Sequence, residues 1–178
     1  AYSFPPQFAA ADTALDGGAG QSLVMAQDGR DVHAVWIEGT SLGHRSSLDG
    51  GATWSATSTL NGGDVPLEAQ VHVQGQQATI VWVGDGSSLL SRTTTDGGAS
   101  FSPAVILNPA AGTTPAQKLQ LCGSGSDLCA VWLAGDPLFG AARVTLCTSA
   151  DAGLTWSGQG MASDIEGVYV DANLNTRR

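Results

Sequence analysis

The chain has 178 residues, 42% hydrophobic and only 13% charged, with 24 glycines and a formal net charge of −9. That length and apolar content suit one packed domain or a large part of one. The negative charge argues against a nucleic-acid or anionic-membrane partner. No apolar run reaches the length of a membrane span, so no membrane insertion is expected, and no signal peptide is visible.

In chain order the segments are short, β-branched or aromatic, and bounded by Gly, Asp, Asn and Pro. None sustains apolar spacing at i, i+3, i+4 and i+7, so strands are predicted throughout. Residues 1–8 read as a lone outer strand around Phe4 to Phe8. A first group of four strands follows, at 22–27, 31–39, 42–47 and 55–60. A second lies at 67–73, 78–83, 89–94 and 103–107. A third lies at 117–122, 128–133 and 142–148, with a poor fourth match around 158–162. Residues 166–172, containing Val168-Tyr169-Val170, read as the inner strand of a further group or as a replacement for that weak strand.

The groups are repeats. A Val-Trp step recurs at Val35-Trp36, Val81-Trp82 and Val131-Trp132. An octapeptide then closes each third strand: Ser47, Asp49, Gly51 and Trp54 in SLDGGATW; Thr94, Asp96, Gly98 and Phe101 in TTDGGASF; Ser149, Asp151, Gly153 and Trp156 in SADAGLTW. The first residues of these copies lie 47 and then 55 positions apart. Four antiparallel strands per repeat of about 40–50 residues is the pattern of a β-propeller blade, so the expected fold is all-β with three blades near 21–60, 66–107 and 116–162. The octapeptide falls in the turn between the third and fourth strands. There an Asp accepts backbone N–H bonds, a Gly supplies positive φ, and the aromatic ring tucks beneath the turn.

These octapeptides resemble the Asp-box, or bacterial neuraminidase repeat, of the sialidase-type β-propellers. The likeness spans roughly residues 22 to 156. It implies that Asp49, Asp96 and Asp151 are structural, on the face away from any active site. It also implies six blades, of which three repeats are half. A half-propeller exposes two apolar blade faces and unpaired edges. A second copy, another propeller half, or the remainder of a longer chain is then expected to complete it. A two-fold pair with the strand around Phe4 to Phe8 exchanged is one such solution.

The opposite rim is the expected ligand face. By the strand assignment it carries Asp12, Asp16, Glu38, Asp64, Glu68, Asp85, Asp136, Asp164 and Glu166, nine of the 16 acidic residues, with Tyr169 nearby. They read either as a solubilising rim or as an acidic funnel for a cation or a polyhydroxyl ligand such as a glycan. The sialidase family binds its substrate carboxylate with three arginines and uses a Tyr–Glu nucleophile pair and an Asp acid/base. Here the N-terminal region AYSFPPQF lacks the family's Arg-Ile-Pro motif, and none of Arg30, Arg45, Arg92 and Arg143 maps to a triad position. Two functions stay open: a non-catalytic module binding glycan or protein, and part of a glycoside hydrolase completed by other blades. Arg45 and Arg92 recur two residues before their boxes, which suggests a structural role.

Cys122 and Cys129 flank the turn Gly123 to Asp127, where antiparallel pairing brings them opposite each other. A disulfide and two free thiols are the alternatives, with the disulfide suited to an exported chain. Cys147 is left to pack. His33, His44 and His72 are expected to be structural, no Cys/His spacing suggests a metal, and no cofactor is expected. Composition and resemblance together point to a secreted, periplasmic or cell-surface protein.

Overall fold

A computed structural model describes residues 20–85, 88–108, 116–135, 142–157 and 160–161. The expected strands at residues 1–8 and 166–172 lie outside them. Among the described residues there are twelve strands and no helix, in three four-stranded antiparallel sheets. The first blade is β1 (Gly20–Asp28), β2 (Asp31–Glu38), β3 (Ser41–Ser47) and β4 (Ser58–Thr59). The second is β5 (Pro66–Gln74), β6 (Gln77–Gly84), β7 (Leu89–Thr94) and β8 (Val105–Ile106). The third is β9 (Ala116–Ser124), β10 (Asp127–Ala134), β11 (Arg143–Ser149) and β12 (Gly160–Met161). Within each sheet the strands lie side by side in chain order, the meander of a propeller blade.

The Val-Trp step explains how blades stack. Neighbouring residues of a strand point to opposite faces. Val35 and Ile37 of β2 pack with Ala78, Ile80 and Trp82 of β6 in one core. Val81 and Val83 of β6 pack with Ala130 and Trp132 of β10 in the next. In each pair the Val faces the following blade and the Trp faces the preceding one. Strands covered on both faces need apolar residues at nearly every position, and six consecutive residues of β2 are buried.

The outer strands are shorter than predicted. The expected range 55–60 contains a ladder of only Ser58–Thr59, and 103–107 only Val105–Ile106. The physical reason is a side chain that replaces the first ladder bond. Ser46 N donates to Ser55 Oγ at 3.0 Å while Ser55 N donates to Ser46 O at 2.8 Å. Thr93 with Ser102, and Thr148 with Ser157, repeat the arrangement. At the other end Leu60 N and Leu107 N close onto Leu42 O and Leu89 O.

Candidate functional site

A blade has two ends, and the chemistry differs sharply between them. At one end lie the three octapeptide turns. Ser47 Oγ donates to Asp49 Oδ1 at 2.7 Å and accepts from Gly51 N at 2.8 Å. Asp49 then accepts from Thr53 N at 2.8 Å and Thr53 Oγ1 at 2.6 Å. Thr94, Asp96, Gly98 and Ser100 form the same set, as do Ser149, Asp151, Gly153 and Thr155. These bonds, the Thr or Ser hydroxyl bond first, hold each carboxyl down to about 2 from an ordinary 3.8. Carboxylates so acidic and so fully engaged are poor proton acceptors at neutral pH. The middle residue of each turn ties it to the hairpin between the first two strands. Gly50 N, Gly97 N and Ala152 N donate to Arg30 O, Gln76 O and Ser126 O at 2.9, 2.8 and 2.7 Å.

The aromatic residue reaches further than its own turn. Phe101 meets His44 of the first blade edge-on, with centroids 4.9 Å apart. Trp156 Nε1 donates to Ser91 Oγ of the second blade at 3.1 Å. The turn glycine follows it: a Cβ on Gly98 would lie 2.7 Å from Ser46 Oγ, and one on Gly153 would lie 2.5 Å from Thr79 Cγ2. Thr79 Oγ1 and Thr93 Oγ1 also donate to Ala152 O and Gly153 O at 2.5 and 3.1 Å. The second and third turns are therefore latches onto the preceding blade. A cleft of about 350 Å³ lies between the first two turns, lined by Leu48, Thr53, Trp54 and Asp96 among others. Both Asp96 carboxylate oxygens there are already bonded to Thr94 and Ser100.

Behind the second latch lies a buried pair that the sequence reading did not connect. His33 Nδ1 and His44 Nε2 are 2.9 Å apart, and His44 Nδ1 is 3.1 Å from Ser58 Oγ. Ser, His and His in series have the connectivity of a nucleophile, base and orienting group. Burial, however, lowers His33 to about 4, against a smaller opposing effect of Asp31. Burial and then the neighbouring His33 lower His44 to about 3. A base that weak is poorly suited to activating a hydroxyl at neutral pH. A signal was present in the sequence: His33 and His44 occupy the positions of Thr79 and Ser91 in the next repeat, both inward-facing and hydroxyl-bearing.

Of the predicted ligand-face residues, Glu38, Asp64, Glu68 and Asp85 are described, while Asp136, Asp164, Glu166 and Tyr169 lie outside the described residues. Glu38 is half-buried and accepts from Trp36 Nε1 at 3.5 Å. Asp64, Glu68 and Asp85 lie along the passage from the first blade to the second and at the end of β6, with no bond between their side chains. Asp64 packs beside Gly84, Asp85 N donates to Val65 O at 2.8 Å, and Glu68 pairs with Val83. Two asparagines missed by the sequence reading build this end. Asn61 Oδ1 accepts from Leu42 N at 2.9 Å, and Asn108 Oδ1 accepts from Leu89 N at 2.6 Å. The recurring Leu-Asn step, Leu60-Asn61 and Leu107-Asn108, was the available signal. The register of each inner strand also slips by one residue near its start, and in β9 the slip leaves Lys118 at φ 56. Such bulges re-aim side chains at a rim. Among the described residues no three His, Cys, Asp or Glu side chains converge as metal ligands would.

Arg45 and Arg30 make structural contacts. Arg45 Nε donates to Thr57 Oγ1 at 2.9 Å, and Arg30 reaches Asp49 O at 3.3 Å on the turn side. Cys122 and Cys129 are directly opposite on β9 and β10, yet both are free thiols. Cys122 Sγ lies 3.7 Å from the Cys129 carbonyl oxygen.

No family model matches the chain, and no curated protein matches it. Solved structures do. An α-L-arabinanase of Penicillium chrysogenum complexed with arabinobiose superposes with a TM-score of 0.59 at 12% identity, over 88% of this chain and 52% of that one. The α-L-arabinofuranosidase Arb93A of Fusarium graminearum, with an iminosugar inhibitor, gives 0.56 at 12% identity over 83% and 49%. The catalytic domain of a GH62 α-L-arabinofuranosidase of Coprinopsis cinerea gives 0.50 at 15% identity over 81% and 51%. This chain thus spans about half the length of the structures it matches. At such identities the likeness shows the fold: three blades of a β-propeller of the kind found in glycoside hydrolases.

Proposed function

We propose that this chain is one half of an Asp-box propeller that recognises a glycan on the rim opposite its octapeptide turns. The observation that carries the reading is the division of labour between the two ends. The turn end is saturated with internal hydrogen bonds. The other end carries Asp64, Glu68 and Asp85 around the passage between the first two blades, and carboxylates suit a polyhydroxyl ligand. Neighbours that are glycoside hydrolases support a carbohydrate ligand. They also favour a second reading, a glycoside hydrolase whose two working carboxylates come from different blades. The sialidase version of it lacks its arginines. Export to the periplasm, cell surface or medium belongs to the same proposal.

Completion by further blades is part of it. Leu23, which pairs with Trp36, is 65% exposed, whereas Ala69, which pairs with Trp82, is 4% exposed. Val131 and Leu133 on β10 are half-buried, while Val81 and Val83 at the same places on β6 are buried. Trp54 has no partner among the described residues, while Trp156 latches onto Ser91. A second copy or another propeller half would cover both faces.

The test is calorimetric titration with arabino-oligosaccharides and sialosides, together with turnover of fluorogenic arabinofuranosides and sialosides. We expect glycan binding that falls at least tenfold in Asp64→Ala with Asp85→Ala, and no sialoside turnover. Binding that survives both substitutions would place the ligand elsewhere. Hydrolysis of an arabinofuranoside that the same pair abolishes would establish the enzyme reading instead.

A further inference from the structure

We propose that Cys122 and Cys129 are a reversible redox couple that closes an intramolecular cross-strand disulfide on the outward face of the third blade. The structure holds its reduced form. The two residues are direct partners in the β9–β10 register, flanked by the pairs Gly123–Leu128 and Leu121–Ala130. Directly opposed residues of antiparallel strands have Cα atoms about 4.5 or 5.5 Å apart. Both separations fall in the range of about 4.4–6.8 Å that a disulfide spans. Paired residues also project to the same side of the sheet. The bond therefore needs side-chain rotation, away from the present contact between Cys122 Sγ and the Cys129 carbonyl, and no new chain path.

Access singles out this pair. The equivalent places in the second blade are His72 and Thr79, and there the following blade closes over the site: Thr79 is 1% exposed and bonded to Ala152 O. On the third blade Cys122 is exposed and Cys129 half-buried, on the same face as Val131 and Leu133, so the pair is open to an oxidant in the half-propeller before a further blade covers it. Cys147 is the counter-example in the same sheet. It pairs with Ala130, so it faces the other way, into the core with Trp132, and is fully buried. Burial, and then Cys129, push its thiol up to about 12. Burial chiefly, and then Cys122, also push the Cys129 thiol up, which makes exposed Cys122 the first to react.

The chemistry balances with a low-molecular-weight disulfide as oxidant. The Cys122 thiolate attacks one sulfur of glutathione disulfide, making a mixed disulfide and releasing one glutathione thiolate. The Cys129 thiolate then attacks the Cys122 sulfur and releases the second. The protein loses two protons and two electrons, and the oxidant leaves as two thiols.

The folded chain, incubated with excess glutathione disulfide at pH 8, is measured by intact mass and by peptide mapping after alkylation. The expected product is a monomer lighter by about 2 Da with Cys122 joined to Cys129 and Cys147 still a thiol, restored by dithiothreitol. Cys129→Ser should stop at the mixed disulfide on Cys122, about 305 Da heavier, the mass of one bound glutathione. Cys147→Ser should close the bond as wild type does. Should that variant fold poorly, the wild-type map alone locates the third thiol. A persistent glutathione adduct on wild type, a bond to Cys147, or a disulfide-linked dimer would each overturn the proposal.

Discussion

The three turn glycines offer a perturbation with its own internal control. Gly51, Gly98 and Gly153 have φ of 91, 91 and 89°, so an alanine is conformationally strained to the same degree at each. Left-handed backbone costs a non-glycine residue about 1–2 kcal/mol. What differs is what the new methyl meets. At Gly51 the nearest atom is on Trp54 at 3.8 Å, an ordinary contact. At Gly98 it meets Ser46 Oγ at 2.7 Å and His44 Cε1 at 2.8 Å. At Gly153 it meets Thr79 at 2.5 and 2.7 Å and Thr93 Oγ1 at 3.0 Å. Those atoms belong to packed, hydrogen-bonded strands, and overpacking of that kind costs about a further 1–3 kcal/mol. Gly51→Ala should therefore lose about 1–2 kcal/mol, and Gly98→Ala and Gly153→Ala about 2–5 kcal/mol. Urea unfolding, followed by circular dichroism and tryptophan emission, measures all three against wild type. Equal losses at the three positions would refute the latch, since the glycine would then serve its own turn alone. Adding the completing blades should raise the cost of Gly51→Ala to that of the others.

Other outcomes follow from the same contacts. Asn61→Ala and Asn108→Ala each leave a buried backbone N–H, that of Leu42 or Leu89, without its acceptor, and each should lose about 1–3 kcal/mol in urea unfolding. His33 and His44 stay neutral in the fold, at about 4 and 3, while in the unfolded chain they protonate near 6.5. Their stabilisation is thus complete above pH 6.5 and is lost as pH falls toward 4 and then 3. His33→Thr with His44→Ser, the side chains of the second blade, should flatten the fall of the urea midpoint between pH 6.5 and 4. Asp49, Asp96 and Asp151 stabilise the fold above their ordinary 3.8 and lose that contribution as pH drops through about 2. Replacing all three by Asn should therefore reduce the loss of stability below pH 4, and an unchanged acid limb would count against their role.

Much of the fold was legible because the repeat states each physical requirement three times. β7 occupies Leu89–Thr94, the range read from its alternation and its octapeptide. The first outer strand was overestimated because Ser55 looks like a ladder residue, while its hydroxyl does the ladder's bonding. The latch was only partly legible. A sequence shows that an aromatic residue closes each turn, but not that Phe101 and Trp156 cross to His44 and Ser91 of the preceding blade. The approach of Asp64 to the end of β6 depended on topology, which puts one interblade loop beside it. The choice between binding and hydrolysis rests on separations between carboxylates of different blades, and no local pattern encodes those.

The slot that receives each latch shows what the repeat constrains and what it leaves free. His33, Thr79 and Cys129 occupy the same place on β2, β6 and β10, each opposite the residue just before its octapeptide. The backbone there is fixed by strand register. The side chain answers to whatever docks on it. Thr79 meets a turn carbonyl and donates a hydroxyl to Ala152. His33 meets no such acceptor; it leans on His44, whose far nitrogen is held by Ser58 and whose edge carries Phe101. Cys129 faces no blade among the described residues and pairs instead with Cys122. Fold-determining positions recur because a turn or a strand has few solutions. Interface positions vary because each neighbour poses its own problem. In a repeat protein the departures from the repeat, more than the repeat itself, therefore mark where one blade's chemistry differs from the next.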